Sequence, residues 1–427
     1  MKHLSQYRIN IILFVFLFSG LGIAQHPGDL DKTFGNGGIV SVGIGGYFDV
    51  AQEVALQKDG KIIVAGYGHE SSASYKGISI ARYLTDGNID YDFGSLGVIQ
   101  KQIKAVEGEL NSIAIQNDGK IVAVGYSISS NTNNEDITLV RFTKNGRLDE
   151  SFGSTGFVVT EISNQKEVCE GVEIQPDGKI VIVGTTQHNP SYDILLIRYD
   201  EDGQLDPYFG IGGIVITDIS SGPDVGKSLA IQSDGKLIVA GFTYRENDFF
   251  MSLLRYDSNG NLDSTFGKGG LAGTDVNTNV GKLDLVLQKD GKIILVGASN
   301  VETTHHFTVL RFNNNGTLDQ TFGDHGVTKT VIGDFSGAES VALDSQGNIV
   351  VAGTTELGKE TFVVAMYNQN GLLESSFGSS GITTVSFGEN SIDHAHSVII
   401  DNNGNIIVAG EVTSSYTTFG LVRIIGK

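Results

Sequence analysis

The feature that most constrains this chain is a ten-residue stretch, Gln57-Lys58-Asp59-Gly60-Lys61-Ile62-Ile63-Val64-Ala65-Gly66, that returns along the sequence. Asp-Gly between apolar runs specifies a tight hairpin, because Gly occupies the φ > 0 turn position without a Cβ penalty. Close copies fill 116–125, 175–184, 232–241 and 288–297, and looser ones fill 344–353 and 401–410. The turn glycines Gly60, Gly119, Gly178, Gly235, Gly291, Gly347 and Gly404 are spaced by 59, 59, 57, 56, 56 and 57 residues. Seven copies at a nearly constant period imply one structural unit repeated along the chain, each unit burying its apolar face on the next.

Each unit reads as four short strands. The hairpin supplies the first two. A variable stretch then leads to an apolar strand ending in Arg and an aromatic, first seen as Ile78-Ser79-Ile80-Ala81-Arg82-Tyr83. A second turn, Thr85-Asp86-Gly87, precedes Asn88-Ile89-Asp90-Tyr91-Asp92-Phe93-Gly94 and a short apolar run. The elements are rich in β-branched residues and bounded by turn residues, and no segment carries a 3.6-residue apolar stripe. Four-stranded antiparallel units repeated radially are the propeller answer to exposed sheet edges. The sequence therefore predicts an all-β, seven-bladed β-propeller. The Leu-Asp-x-x-Phe-Gly motif first occurs at Leu30, ahead of any hairpin, and the chain stops after the third strand of its last unit. The expectation is that the N-terminal strand, over 29–42, completes the last blade and closes the ring.

The full pattern, Leu-Gln-x-Asp-Gly-Lys-Ile-x-Val-Ala-Gly followed by Leu-x-Arg-Tyr-x-x-x-Gly-x-Leu-Asp-x-x-Phe-Gly, resembles the delta-60 repeat family of exported bacterial proteins. The resemblance spans about residues 29–427. It implies a propeller fold and export. It carries over no molecular function and no catalytic residues. Copy six departs most, with Met366 for Arg, Glu374 for Asp and Gln346 for Asp. The chain ends at Lys427, just past a strand, so the C-terminal sorting module of many relatives is not expected here.

Residues 1–24 join Lys2 and Arg8 to an apolar run, 11–18, and a small-residue site at Gly22-Ile23-Ala24. That is the order of a secretory leader. We expect cleavage near Ala24, a short linker over 25–28, and a propeller over 29–427 in the periplasm or outside the cell. The apolar run is too short for a comfortable membrane span. A formal net charge of −20 argues against nucleic acid and against anionic membrane surfaces. The single cysteine, Cys169, excludes an intrachain disulfide framework and any multi-cysteine metal site.

In a meander, alternate turns share one end of the sheet. One end carries near-identical short turns, and the other carries stretches that differ from copy to copy. Variable segments on a rigid scaffold are where binding usually resides. The side chains singled out there are Tyr47, His69, Tyr75, Tyr192, Tyr244, His305, His306, His394, His396 and Tyr416. Adjacent histidines on a strand point to opposite faces, and two His without a third ligand make no metal site, so solvated loop positions are expected. The turns Asp200-Glu201-Asp202-Gly203 and Asp257-Ser258-Asn259-Gly260 suggest calcium. The EF-hand register, however, would place Arg198 or Arg255 at position 1 and Phe209 or Phe266 at position 12. No cofactor is therefore expected, with bound calcium kept as a minor reading. No His-Glu-x-x-His, nucleophile elbow or phosphate loop occurs.

The reading favoured is a non-enzymatic binding or structural scaffold, monomeric, for a protein or glycan ligand. Its rival is an extracellular carbohydrate hydrolase or lyase using carboxylates at the central pocket. One structural pairing follows from register. A three-residue loop at Thr85-Asp86-Gly87 sets Arg82 opposite Asp90. The expected ion pairs are Arg82–Asp90, Arg141–Asp149, Arg198–Asp206, Arg255–Asp263, Arg311–Asp319 and, between the two ends of the chain, Arg423–Asp31.

Overall fold

The computed structural model describes residues 25–44, 46–69, 76–101, 107–128, 134–188, 191–220, 222–278, 281–301 and 304–427. The leader over 1–24 and Tyr75 lie outside the described residues. Among the described residues the structure is all-β, its only helical element being a 3-10 turn at Phe152–Ser154. No described helix is long and apolar enough to cross a membrane.

A short strand, β1 (Ile39–Val42), comes first. The first hairpin unit holds β2 (Phe48–Leu56), β3 (Ile62–His69), β4 (Lys76–Tyr83) and β5 (Val98–Lys101). The second holds β6 (Glu107–Ile115), β7 (Ile121–Ile128), β8 (Glu135–Phe142) and β9 (Phe157–Thr160). The third holds β10 (Glu167–Ile174), β11 (Ile180–His188), β12 (Ser191–Tyr199) and β13 (Ile214–Thr217). The fourth holds β14 (Asp224–Ile231), β15 (Leu237–Arg245), β16 (Asp248–Tyr256) and β17 (Leu271–Thr278). The fifth holds β18 (Leu283–Leu287), β19 (Ile293–Val301), β20 (Thr304–Phe312) and β21 (Val327–Thr330). The sixth holds β22 (Phe335–Leu343), β23 (Ile349–Glu356), β24 (Glu360–Tyr367) and β25 (Ile382–Val385). The chain ends with β26 (Ile392–Ile400), β27 (Ile406–Thr413) and β28 (Thr417–Ile424).

Units two to six are four-stranded antiparallel sheets in chain order. The remaining strands form one eight-stranded sheet, in which β1 pairs antiparallel with β28, while β2 meets β28 through a single parallel pair, Phe48 with Thr417. Apolar cores lie between consecutive sheets. One holds Ile63 and Ile80 of the first unit against Leu110 and Ile121 of the second. Another holds Phe34, Val40 and Ala51 from the start of the chain against Ile407, Phe419 and Leu421 from its end.

The outer segment expected as one strand over 29–42 is broken in two. Leu30 bridges Ile424, the chain then turns back at Phe34-Gly35, and pairing resumes only at β1. The cause is local. Gly35 has φ +52°, and a Cβ there would lie 2.4 Å from Val40 Cγ2. The Phe-Gly motif is thus a turn motif, which explains its recurrence in every copy.

The strand ending in Arg and an aromatic carries an ionic staple. Arg82, Arg141, Arg198, Arg255, Arg311 and Arg423 donate through Nε to Asp90, Asp149, Asp206, Asp263, Asp319 and Asp31 at 2.7–2.9 Å. Each guanidinium lies 4.6–4.7 Å from the ring centroid of its Phe-Gly phenylalanine. Its Nη1 donates to a turn carbonyl of the next unit, as Arg82 does to Lys144 O at 2.6 Å and Arg255 to Asn314 O at 2.6 Å. One side chain therefore satisfies a buried charge and ties two units together. In copy six Met366 is fully buried, and Glu374 pairs instead with Lys427 Nζ at 3.0 Å.

Candidate functional site

The innermost strand of six of the units has a second repeated irregularity. A β-bulge falls between Ala51 and Glu53, Leu110 and Ser112, Cys169 and Gly171, Gly226 and Ser228, Ala338 and Ser340, and Ala395 and Ser397. The glycine that ends the ten-residue repeat makes room for it. A Cβ on Gly66, Gly125, Gly184 or Gly410 would lie 1.9–2.0 Å from a carbonyl oxygen of the bulged strand. The bulge re-aims one side chain per strand. The bulged residues are Gln52, Asn111, Glu170, Lys227, Glu339 and His396; β18 has no bulge, and Lys282 stands just before it. These side chains line one cavity of about 250 Å³, walled by β2, β6, β10, β14, β18, β22 and β26.

Hydrogen bonds run from strand to strand around this cavity. Asp284 on β18 accepts from Ser228 Oγ at 2.9 Å, Ser340 Oγ at 3.0 Å and the Val341 amide at 2.9 Å. Ser340 Oγ accepts from the Val398 amide at 3.1 Å. Ser397 Oγ donates to Glu53 Oε1 at 2.6 Å. Lys227 pairs with Glu170 at 2.6 Å, and His396 Nδ1 lies 2.6 Å from Glu339 Oε2. Lys282 Nζ donates across the cavity to Gln52 O at 3.3 Å.

The carboxyl groups are driven apart by their surroundings. Burial, with the Asp284 charge nearby, pushes Glu53 up to about 7 against the opposing Ser397 bond. Burial and Asp284 push Glu173 up to about 7 as well. Burial also raises Asp284 itself, despite its four hydrogen bonds. Burial would raise Glu339 too, but the charge and hydrogen bond of His396 outweigh it, and Glu339 sits below the usual carboxylate range.

The side chains singled out from sequence scatter. His396 faces this cavity. His394 lies on the same strand, bonded to Glu360 Oε2 at 2.9 Å. Expected in solvated loops, both belong to innermost strand β26, and each bonds a carboxylate of the neighbouring unit; His396 owes its aim to the bulge. Tyr47 and Tyr416 come together on the variable end, ring centroids 4.9 Å apart, 58% and 51% exposed. His69 ends β3 against Phe48, and Tyr244 lies in β15 against Phe249. His305 and His306 are both in β20, His305 with its ring 4.7 Å from Phe335 and His306 Nε2 3.0 Å from Thr304 Oγ1. Tyr192 is half-buried in β12. The strands run longer than expected because pairing continues into the variable stretches, as at Gln187 with Tyr192.

Among the described residues no three His, Cys, Asp or Glu side chains are gathered as a metal would require. The acidic turns bond their own backbone. Asp200 Oδ1 accepts from Asp202 N and Gln204 N at 3.0 and 2.8 Å, and Asp257 Oδ1 accepts from Asn259 N and Asn261 N at 2.8 and 2.9 Å.

Reading strand patterns alone missed Gln52, Glu53, Asn111, Glu170, Glu173, Lys227, Lys282, Asp284 and Glu339. A signal was present: the position five residues before the hairpin Gln or Asp is polar in six of the seven copies. It also changes identity, as Gln52, Asn111, Glu170, Lys227, Leu283, Glu339 and His396.

No curated protein matches the sequence. Among solved structures, the catalytically inactive virginiamycin B lyase from Staphylococcus aureus with quinupristin is similar at a TM-score of 0.52 and 13% identity, over 90% of this chain and 98% of that one. The polysaccharide lyase PL25 ulvan lyase is similar at a TM-score of 0.52 and 12% identity, over 91% of this chain and 96% of that one. At such identities the likeness shows the fold alone. In sequence, residues 57–93, 116–152, 175–209, 232–266 and 288–322 match the model described as "Domain of unknown function (DUF5122) beta-propeller". Five stretches of this chain are thus similar to the repeat of a β-propeller family of unknown function.

Proposed function

We propose that this protein is an exported, seven-bladed β-propeller that works as a binding scaffold, with its central channel as the recognition site. The count rests on the eight-stranded sheet dividing into two four-stranded units at the single Phe48–Thr417 pair. Closure of the ring by the N-terminal strand is supported by the Arg423–Asp31 pair at 2.8 Å and by the Arg423 amide bonding Gly38 O at 2.9 Å. The leader pattern over 1–24 supports export to the periplasm or beyond. The protein acts as a monomer, without nucleic acid and without a metal.

The observation that carries the binding role is the bulge column. It differs from copy to copy, while the staple column is repeated in six of seven copies. The column thereby presents an amide, an acid, an ammonium and an imidazole to one cavity. Mixed donors and acceptors there suit a polyhydroxylated or peptide ligand. A glycan and peptide array, probed with the protein with and without calcium, tests this. Binding that is lost in Asn111→Ala and Glu170→Ala, and indifferent to chelator, is expected. Binding that survives both substitutions places the site elsewhere.

The hydrolase or lyase reading is favoured by one observation, the convergence of Glu53, Glu173, Asp284 and Glu339 from four different units on one channel.

A further inference from the structure

We infer that Glu53 and the Glu339–His396 dyad form an acid–base pair that hydrolyses a glycosidic bond of a neutral saccharide held in the channel. This rests on the channel being the binding site, and it adds chemistry to it.

The geometry comes from two consecutive residues of one strand. On β26, His396 Nδ1 lies 2.6 Å from Glu339 Oε2, and the next residue, Ser397, donates to Glu53 Oε1 at 2.6 Å. Glu339 is on β22 and Glu53 on β2, so the neighbours of β26 each bring one carboxyl group to the same wall. Glu339 fixes the imidazole, and His396 Nε2 has no hydrogen-bond partner among the described residues. A carboxylate that orients an imidazole through Nδ1 leaves Nε2 as the proton acceptor.

The two carboxyl groups differ in protonation for stated reasons. Burial and Asp284 favour the acid form of Glu53, whereas the hydrogen bond that Glu339 accepts from His396 Nδ1 and the Lys282 charge favour the ionised form of Glu339. Two carboxyl groups whose surroundings separate them in this way are the pattern of an acid and a base sharing one reaction. The groups facing Glu53 are Ser397 on β26 and both Asp284 and Lys282 of the β18 unit. Glu170 and Lys227 neutralise each other farther round the wall. The remaining carboxylates repel anions, while Gln52 and Asn111 offer amide donors and acceptors, so hydroxyl groups without charge are the chemistry that fits.

The step balances with water as the only co-reactant. Glu53 gives its proton to the glycosidic oxygen as the C–O bond breaks and its electron pair moves to that oxygen. His396 Nε2 takes a proton from a water whose oxygen bonds the anomeric carbon. The products are an alcohol and a hemiacetal. Solvent then returns the proton from His396 to Glu53.

The test uses the whole protein on methyl, 4-nitrophenyl and 2,4-dinitrophenyl glycosides of neutral hexoses, α and β. Turnover of at least one sugar is expected, falling on methyl glycosides as pH rises through about 7, where Glu53 loses its proton. Glu53→Gln should lower kcat on methyl glycosides by roughly 100-fold or more, and far less on dinitrophenyl glycosides, whose leaving group needs no proton. His396→Ala should lower both alike. A structural role for Glu53 would not depend on the leaving group, so equal losses overturn the assignment. No turnover of any glycoside, with array binding intact, overturns the hydrolysis and leaves the scaffold standing. Failure of both defeats the channel as a site.

Discussion

The third strand and the first strand of each unit obey the same period but opposite rules. On the third strand, Arg recurs with its Asp partner, its phenylalanine and a carbonyl of the next unit, in six of the seven copies. On the first strand, the bulged position holds a different side chain in nearly every copy. The staple is buried between units, where a charge without partners would cost several kcal/mol, so every copy that keeps the Arg keeps the whole set. The bulge faces a cavity, where its side chains pair by differing chemistry, Glu170 with Lys227 and Glu339 with His396, so no one residue type is required in every copy. Copy six shows the coupling from the other side. There the Arg, the Asp and the staple disappear together, and Glu374 finds Lys427 at the chain end.

The largest test of this contrast is to break one staple and one bulge. Arg423→Met strands Asp31 beside a buried gap and should cost roughly 3–5 kcal/mol, read from the urea unfolding midpoint. Asn111→Ala should cost less than about 1 kcal/mol in the same assay, as for other polar side chains near solvent. Equal costs would mean that the bulge column is structural after all.

A smaller effect sharpens the contrast through pH. The staple carboxyl groups are held down: at Asp149, burial is outweighed by the Ser151 and Lys120 hydrogen bonds and the Arg141 charge, down to about 2. Their stabilisation is present above the ordinary carboxylate range and is lost as pH falls through the folded value. Glu173 is raised to about 7, so its contribution has the opposite sign: fully present below the ordinary value and lost as pH rises through 7. Glu173→Gln should therefore raise Tm at pH 8 by about 1–3 °C and leave it unchanged at pH 4. Asp149→Asn should lower Tm at pH 7, with the difference closing toward pH 2. Calorimetric scans across pH check both, and a common sign for the two variants would break the comparison.

The smallest effect concerns copy six. Glu374–Lys427 is a partly exposed pair, its side chains 20% and 23% exposed. Lys427→Ala should cost only about 0.2–1 kcal/mol, as exposed pairs do. A loss on the scale of Arg423→Met would show that this pair replaces the staple in full.

Much of the fold was legible because turn chemistry is local. Asp59-Gly60 and Thr85-Asp86-Gly87 determine where strands end and which residues face each other. The Arg82–Asp90 register follows from a three-residue loop and the period-2 pleat. The candidate site was less legible for two physical reasons. The bulge inserts one residue and interrupts the alternation on which a strand reading relies, so the strand pattern did not single out Glu53 and Glu339. His394 and His396 read as loop residues, because the sequence does not show that pairing extends so far into the variable segment.

The sequence by itself determined the period, the strand class and the paired columns, since these depend on neighbours within a few residues. Only the tertiary structure decided that Gln52, Asn111, Glu170, Lys227, Lys282, Glu339 and His396 share one cavity. Only it could show that adjacent His396 and Ser397 hold carboxyl groups from β22 and β2. Those partners lie 57 and 344 residues away along the chain. The charge state of a buried carboxyl group depends on what surrounds it in space, and no local pattern carries that information.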